Sequence, residues 1–163
     1  MTRRKLLFLT GLFAGLGALS PRVLAKTIGE KFEKIIKPNS YWKGVLTESE
    51  FEVLRNNGTE RAFTSPLNNE KREGTYACAA CELPLFKSEH KYDSGTGWPS
   101  FFDVIEGHIE TKKDYKLILP RTEYHCARCE GHQGHVFNDG PKPTGLRYCN
   151  NGVALKFIPK QGV

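Results

Sequence analysis

The feature that most restricts what this chain can fold into is a pair of identical knuckles, Cys78-x-x-Cys81 and Cys126-x-x-Cys129, set far apart in 163 residues. Two residues between cysteines let one tight turn aim both sulfurs at a single ion. Two such turns complete a tetrahedral thiolate set, the geometry zinc takes when its role is structural. The long gap between the knuckles means that the ion would clip remote parts of one domain together. Its binding free energy, of order 10 kcal/mol, is comparable to the whole stability of a small domain. The spacing therefore predicts one structural Zn2+ on Cys78, Cys81, Cys126 and Cys129. Three other uses of these residues stay open on spacing alone: two disulfides, a redox-active Cys-x-x-Cys, and a set made of Cys126, Cys129, His132 and His135. The redox pair lacks a thioredoxin-type βαβ context, and the last set leaves Cys78 and Cys81 without a task.

Disulfides would require an oxidising compartment, and the N-terminus points to export. It opens Thr2-Arg3-Arg4-Lys5-Leu6-Leu7, continues with an apolar stretch over 6–19 diluted by Gly11, Gly15 and Gly17, and offers Val23-Leu24-Ala25 for cleavage. This layout predicts a signal peptide of twin-arginine type over residues 1–25, a mature chain from Lys26, and a bacterial periplasmic or otherwise exported location. The apolar stretch is shorter than the ~20 residues a spanning helix needs, so no stable membrane association is expected after cleavage. The signal also explains the charge. Arg3, Arg4, Lys5 and Arg22 supply four of the six net positive charges, and no acid stands among the first 25 residues. The remainder is close to neutral, without a basic run, so nucleic acid is not expected as a partner.

Residues 26–40 read as a linker or peripheral helix, because Ile28, Phe32, Ile35 and Ile36 recur at helical spacing before Pro38. A second helix is marked by a capping box of Thr47 and Glu50, an apolar stripe of Phe51 and Leu54, and Gly58 where a left-handed residue would end it. From Tyr76 the texture changes to short apolar runs broken by Gly, Pro, Asp and Asn. Candidate strands are 75–78, 100–104, 116–119, 123–126, 135–137, 147–149 and 153–158. The expected fold is mainly β, a small antiparallel sandwich or open barrel over residues 41–160 with helices at its N-terminal edge.

The fifth cysteine, Cys149, is left over in Gly145-Leu146-Arg147-Tyr148-Cys149-Asn150-Asn151. In a strand, Arg147 and Cys149 share a face, and a cation there favours thiolate over thiol. A buried structural cysteine is the alternative. Other residues favour chemistry: His132 and His135 lie together near a turn, Asp139 follows, and Trp98 sits in the glycine-flanked loop Ser94-Gly95-Thr96-Gly97-Trp98-Pro99-Ser100-Phe101.

At these residues the chain resembles the methionine-R-sulfoxide reductases of the B type. The resemblance runs from about Tyr41 to Lys160. It includes Leu54-Arg55-Asn56-Asn57-Gly58-Thr59-Glu60, Gly74-Thr75-Tyr76-Ala77-Cys78, and the segments 94–101, 134–141 and 145–151, in the family's order. It implies a fold of two small antiparallel β-sheets, a zinc ion on the two knuckles, and reduction of methionine sulfoxide of R configuration at sulfur. It also implies roles. Cys149 attacks the sulfoxide sulfur, His135 acts as the leading acid, and His132 and Asn151 hold the oxygen. Arg147 and Asp139 orient and tune this set, and Trp98 and Phe137 wall the substrate methyl group. Many relatives carry a resolving cysteine where this chain has Thr96. The chain is thus expected to form a sulfenic acid that an external thiol reduces: a thioredoxin-like protein, a glutaredoxin-like protein or a small thiol. The expected substrates are oxidised proteins containing methionine-R-sulfoxide. Two competing readings are a non-catalytic zinc-stabilised β binding module, which has no use for Cys149 beside imidazoles and an indole, and a thiol peroxidase, which needs no wall for a methyl group.

Overall fold

A computed structural model describes residues 32–117 and 119–162. Of the linker or peripheral helix expected over residues 26–40, residues 32–38 run as non-helical chain. Residues 28–31, like the expected signal over 1–25, lie outside the described residues. Phe32 and Ile35 pack onto the main core, and the Ile35 amide donates to the Arg128 carbonyl at 2.7 Å. Apolar spacing there reflects docking of an irregular strap, not a helical face. The helix comes later, as α1 (Asn39–Val45), immediately after Pro38. Proline bars a helix from running through from upstream, because it clashes with the preceding turn and drives the residue before it out of helical angles.

The second helix, α2 (Glu48–Asn56), begins as expected. Thr47 accepts from the Glu50 amide, and the Glu50 carboxylate accepts from the Thr47 amide at 2.9 Å. Its end differs from expectation. Asn57, not Gly58, takes the left-handed conformation at φ 55°, which asparagine tolerates. Trp42 of α1 and Val53 and Leu54 of α2 are buried. The Arg55 guanidinium lies 5.1 Å from the Trp42 ring centre and donates to the Cys129 carbonyl at 2.8 Å. The helices are thereby seated on the second knuckle.

Nine strands follow among the described residues: β1 (Gly74–Cys78), β2 (Pro84–Lys87), β3 (Lys91–Tyr92), β4 (Ser100–Phe101), β5 (Ile109–Asp114), β6 (Arg121–Cys126), β7 (His132–Phe137), β8 (Arg147–Asn150) and β9 (Leu155–Pro159). They form two antiparallel sheets, in the orders β2-β1-β9 and β3-β4-β8-β7-β6-β5. This is the expected mainly β class with two sheets and N-terminal helices. Two strand assignments need correction. Lys116, Leu117 and Leu119 are not in a strand: Asp114 accepts from the Lys116 amide at 2.9 Å, turning the chain, and Leu117 and Leu119 are exposed. The strand is β5 just before it, a charged edge strand with no apolar alternation to announce it. Likewise, pairing over 100–104 is confined to Ser100 and Phe101.

The core lies where the sheets meet. Phe86 of β2 stacks on Phe101 of β4 with centroids 4.1 Å apart, Tyr76 of β1 meets Phe101 at 4.9 Å, and Tyr124 of β6 meets Tyr148 of β8 at 5.4 Å. Strand periodicity sends the alternate residues of the large sheet to its other face. That face carries polar groups.

Two substitutions separate the energetics of the helical edge. Thr47→Ala removes the hydroxyl that accepts from the Glu50 amide and is expected to cost about 1 kcal/mol. Trp42→Ala empties a fully buried site and is expected to cost about 3–5 kcal/mol. Urea unfolding checks the order, and equal costs would mean that α1 is not part of the cooperative core.

Candidate active site and metal cluster

The strand register assembles one row of side chains across the polar face of the large sheet. Lys112 on β5 pairs with Glu123 on β6, Glu123 with His135 on β7, His135 with Cys149 on β8, and Cys149 with Ser100 on β4. Directly opposed residues in an antiparallel sheet point the same way. Cys149 and His135 therefore face the same space from adjacent strands. Two residues along lies a second row, in which Asp114 pairs with Arg121 and Phe137 with Arg147.

A cavity of about 120 Å³ opens over these rows, lined by Cys149, His135, Phe137, Arg121, Trp98 and Asn151, with Thr59 and the β7 and β8 backbone completing it. Trp98 comes from the loop before β4, where Gly95 and Gly97 have φ of 71° and 88°. Its indole nitrogen donates to the Glu60 carbonyl at 2.9 Å, which fixes the ring as a wall. Asn151 leaves the strand into a 3-10 turn. Its side chain accepts from the Glu60 amide and donates to the Gln133 carbonyl, both at 2.9 Å. A larger open cleft of about 660 Å³ lies beside the small sheet, lined by Lys71, Glu73, Lys87 and Lys160 among others, with neither a thiol nor an imidazole on its walls.

The two histidines are close, with ring centres 5.5 Å apart, although three residues along a regular strand would put them on opposite faces. Tyr124 pairs with Gly134 but His125 pairs with His132, so Gln133 is an extra residue, a bulge that turns His132 back to the site face. Each imidazole is held by its own carboxylate: His132 Nδ1 to Glu123 Oε1 at 2.9 Å, and His135 Nε2 to Asp114 Oδ2 at 2.7 Å. His135 lines the cavity, whereas His132 is buried against it and does not. Asp139 is exposed and forms a two-pronged pair with Arg147, Nε to Oδ1 and Nη2 to Oδ2, both at 2.8 Å. The Arg147 guanidinium lies 4.3 Å from the Phe137 ring centre.

Cys149 is half-buried, and burial pushes its thiol above the ordinary value. The positive charge of Arg147 opposes this, and the Thr96 hydroxyl acts in the same direction. The cation expected to favour thiolate is thus in place, but desolvation outweighs it. Burial likewise drives His135 below the ordinary imidazole value, partly offset by its bond to Asp114.

The four remaining cysteines meet where β1 of the small sheet and β6 of the large sheet end. The Cys78 and Cys129 sulfurs are 3.6 Å apart, those of Cys81 and Cys126 are 3.5 Å apart, and all four lie within 4.8 Å of one another. A tetrahedron with metal–sulfur bonds of about 2.3 Å has edges of about 3.8 Å, so the cluster fits one tetrahedral metal ion and is far too open for disulfides. The knuckles are copies. In each, the residue four after the start of the motif (Glu82, Glu130) has φ 60° and donates its amide back to the first cysteine's carbonyl at 2.8 Å. His132 and His135 are engaged elsewhere, which removes the mixed cysteine–histidine set.

A family model for the SelR domain matches residues 46–159. The chain belongs to the SelR family. Among curated SelR relatives, the peptide methionine sulfoxide reductase MsrB of Pseudomonas putida (strain W619) is 52% identical over 132 residues, covering 80% of this chain and 98% of that protein. The enzyme of the same name from Leptospira interrogans is 50% identical over 125 residues, covering 76% and 95%. The chloroplastic peptide methionine sulfoxide reductase B1 of Arabidopsis thaliana is 46% identical over 144 residues, covering 88% and 71%. The family resemblance read from the motifs is correct. Of the predicted site residues, the fold brings Cys149, His135, Phe137, Trp98 and Asn151 onto one cavity, with His132, Arg147 and Asp139 behind them. The sequence reading missed Asp114, Arg121, Glu123 and Glu60. Alternation in β6 marks Arg121 and Glu123 as sharing a face, but nothing local marks Asp114 or Glu60.

Two measurements test this geometry. The purified protein is expected to carry one tightly bound metal ion per chain by elemental analysis, and Cys78→Ser to lose it together with thermal stability; a metal-free protein of equal stability would overturn the cluster. The alkylation rate of Cys149 is expected to rise with pH to a midpoint above that of a free cysteine. Arg147→Gln is expected to shift it further up, because loss of the cation favours the neutral thiol.

Proposed function

We propose that the chain reduces methionine-R-sulfoxide, held in oxidised proteins, to methionine, with Cys149 as nucleophile. The observation that carries this reading is the direct pairing of Cys149 with His135 on the wall of a small cavity closed by Trp98 and Phe137. The names of the relatives point to the same chemistry.

The Cys149 thiolate attacks the sulfoxide sulfur while His135 gives a proton to the oxygen, which is otherwise a poor leaving group. In the adduct so formed, the new sulfur–sulfur bond breaks as the protonated oxygen passes from the substrate sulfur to the Cys149 sulfur, leaving Cys149 as a sulfenic acid and releasing methionine. The substrate sulfur gains the two electrons that the cysteine sulfur loses. Trp98 and Phe137 offer the methyl group an apolar wall, and a sulfur–aromatic contact adds about 0.3–1.5 kcal/mol. His132 and Asn151 support the oxygen side, and Arg147, fixed by Asp139, stabilises the thiolate. With Thr96 at the sulfur and the other cysteines in the cluster, the sulfenic acid is resolved from outside. One thiol of a thioredoxin-like, glutaredoxin-like or small-molecule reductant displaces water to form a mixed disulfide, and a second thiol releases Cys149.

We assign the cluster's ion as zinc, which four thiolates in a closed tetrahedral site favour and which supplies stability rather than redox chemistry. The N-terminal layout supports export by the twin-arginine route to the periplasm.

Wild type and Cys149→Ser, assayed with dithiothreitol on separated R and S sulfoxides, test the proposal. Turnover of the R form alone by wild type is expected, with a loss of at least ~10³-fold in the variant. Intact mass after one turnover without reductant is expected to show a single added oxygen. A stable intramolecular disulfide through Cys149 would refute the external resolution.

A further inference from the structure

Asp114 closes β5 at the hairpin leading to β6, and both of its carboxylate oxygens are held by named donors. Its Oδ1 accepts from the Lys116 amide at 2.9 Å, and its Oδ2 accepts from Arg121 Nη2 at 2.7 Å and from His135 Nε2 at 2.7 Å. These bonds, the Lys116 amide first, hold its carboxyl well below the usual carboxylate range, so it is an anion across the working range. Its side chain is only 10% exposed, so this anion acts through little intervening water.

We propose that Asp114 is a positioning residue for His135, holding the imidazole in the orientation and charge state that proton delivery to the substrate oxygen requires. The inference rests on the reductase reading and adds a residue to it. With Nε2 bound to Asp114, the imidazole presents Nδ1 as its remaining ring nitrogen, and a proton delivered from there is drawn from a cation that the carboxylate stabilises. Without that anion the surroundings oppose an imidazolium. Burial acts against it first, then Arg121 from β6 and His132 on its own strand. The other charged or titratable groups around the site are Glu123 on β6, committed to His132 and Lys112, and Cys149 and Arg147 on β8. Asp114 is the anion in direct contact with the His135 ring. Arg121 plays two parts, lining the cavity and clamping Asp114, so the hairpin that carries both is part of the catalytic apparatus rather than a solvent-facing edge.

The sign of the effect follows. The acid must be protonated to act, and Asp114 favours the protonated form. Its neutral isostere therefore lowers the fraction of competent enzyme wherever His135 is not already charged. For Asp114→Asn, kcat/KM is expected to approach wild type at the acid end and to fall by about 10-fold or more at neutral and alkaline pH. The loss should appear in kcat rather than KM, and Asp114→Glu should restore part of it. A direct reading comes from NMR of 15N-histidine-labelled protein. The His135 titration midpoint is expected to move to lower pH in Asp114→Asn, and in wild type Nε2 is expected to carry the proton of the neutral ring. A uniform loss at every pH with an unmoved His135 midpoint would reduce Asp114 to a structural role and overturn the proposal. The wild-type tautomer stands if the variant does not fold, and a neutral ring protonated at Nδ1 overturns the proposal equally. Because the titration needs no substrate, its result is independent of whether the protein reduces sulfoxides.

Discussion

The register of β7 against β8 decides whether this molecule has a site. His135 opposes Cys149 because Gly134 opposes Asn150, and the two backbones run so close at Gly134 that a Cβ there would collide with the Cys149 carbonyl oxygen. A strand slipped by one residue turns every side chain to the other face. Tyr148 would then meet the cavity, and Cys149 would enter the aromatic layer of Tyr76, Phe86, Phe101 and Tyr124. The aromatic residues on one face and the polar ones on the other therefore enforce a single register, and the thiol–imidazole pairing follows from it without any local motif.

The bulge at Gln133 ties that register to the metal cluster. Its carbonyl accepts from the Asn151 amide and from the Asn151 side chain, both at 2.9 Å, while its side-chain nitrogen lies 3.4 Å from the Cys78 sulfur. The same residue that turns His132 back to the site face thus fixes Asn151 on the cavity wall and reaches a sulfur of the cluster. The two knuckles each end a strand, β1 in the small sheet and β6 in the large one, so an ion held there locks the sheets together a short distance from the chemistry. Small domains gain little from hydrophobic burial alone, and a clip between layers supplies what the core does not.

Electrostatically the site holds two groups that burial pushes the wrong way. Burial drives the thiol up, although the proposed mechanism uses it as thiolate, and drives the imidazole down, although the proposed mechanism uses it as a cation. Each has a compensating charge of opposite sign, Arg147 beside the sulfur and Asp114 on the ring, and each of these is itself anchored, by Asp139 and by Arg121. The anchors are oppositely charged to the groups they hold, so neither compensating charge is left unpaired.

Much of this was legible in the chain. The Cys-x-x-Cys spacing named the cluster, since two-residue gaps have one good geometric use, and the Thr47 and Glu50 pair marked the start of α2, since capping is local chemistry. The strand expected over 116–119 misled, and the helical spacing of Phe32 and Ile35 gave no helix over 32–38, because apolar spacing reports burial or exposure only after the chain has packed. Phe32 and Ile35 dock as an extended strap, and Leu117 and Leu119 stay in solvent. The sequence by itself determined the residue types that carry the chemistry and the family to which they belong, because those depend on identity and order. Only the tertiary structure decided that Asp114, distant in sequence and in an unmarked charged strand, bonds His135, and that Glu60 braces both Trp98 and Asn151. Such contacts are set by strand register and loop closure, which no local stretch of residues encodes.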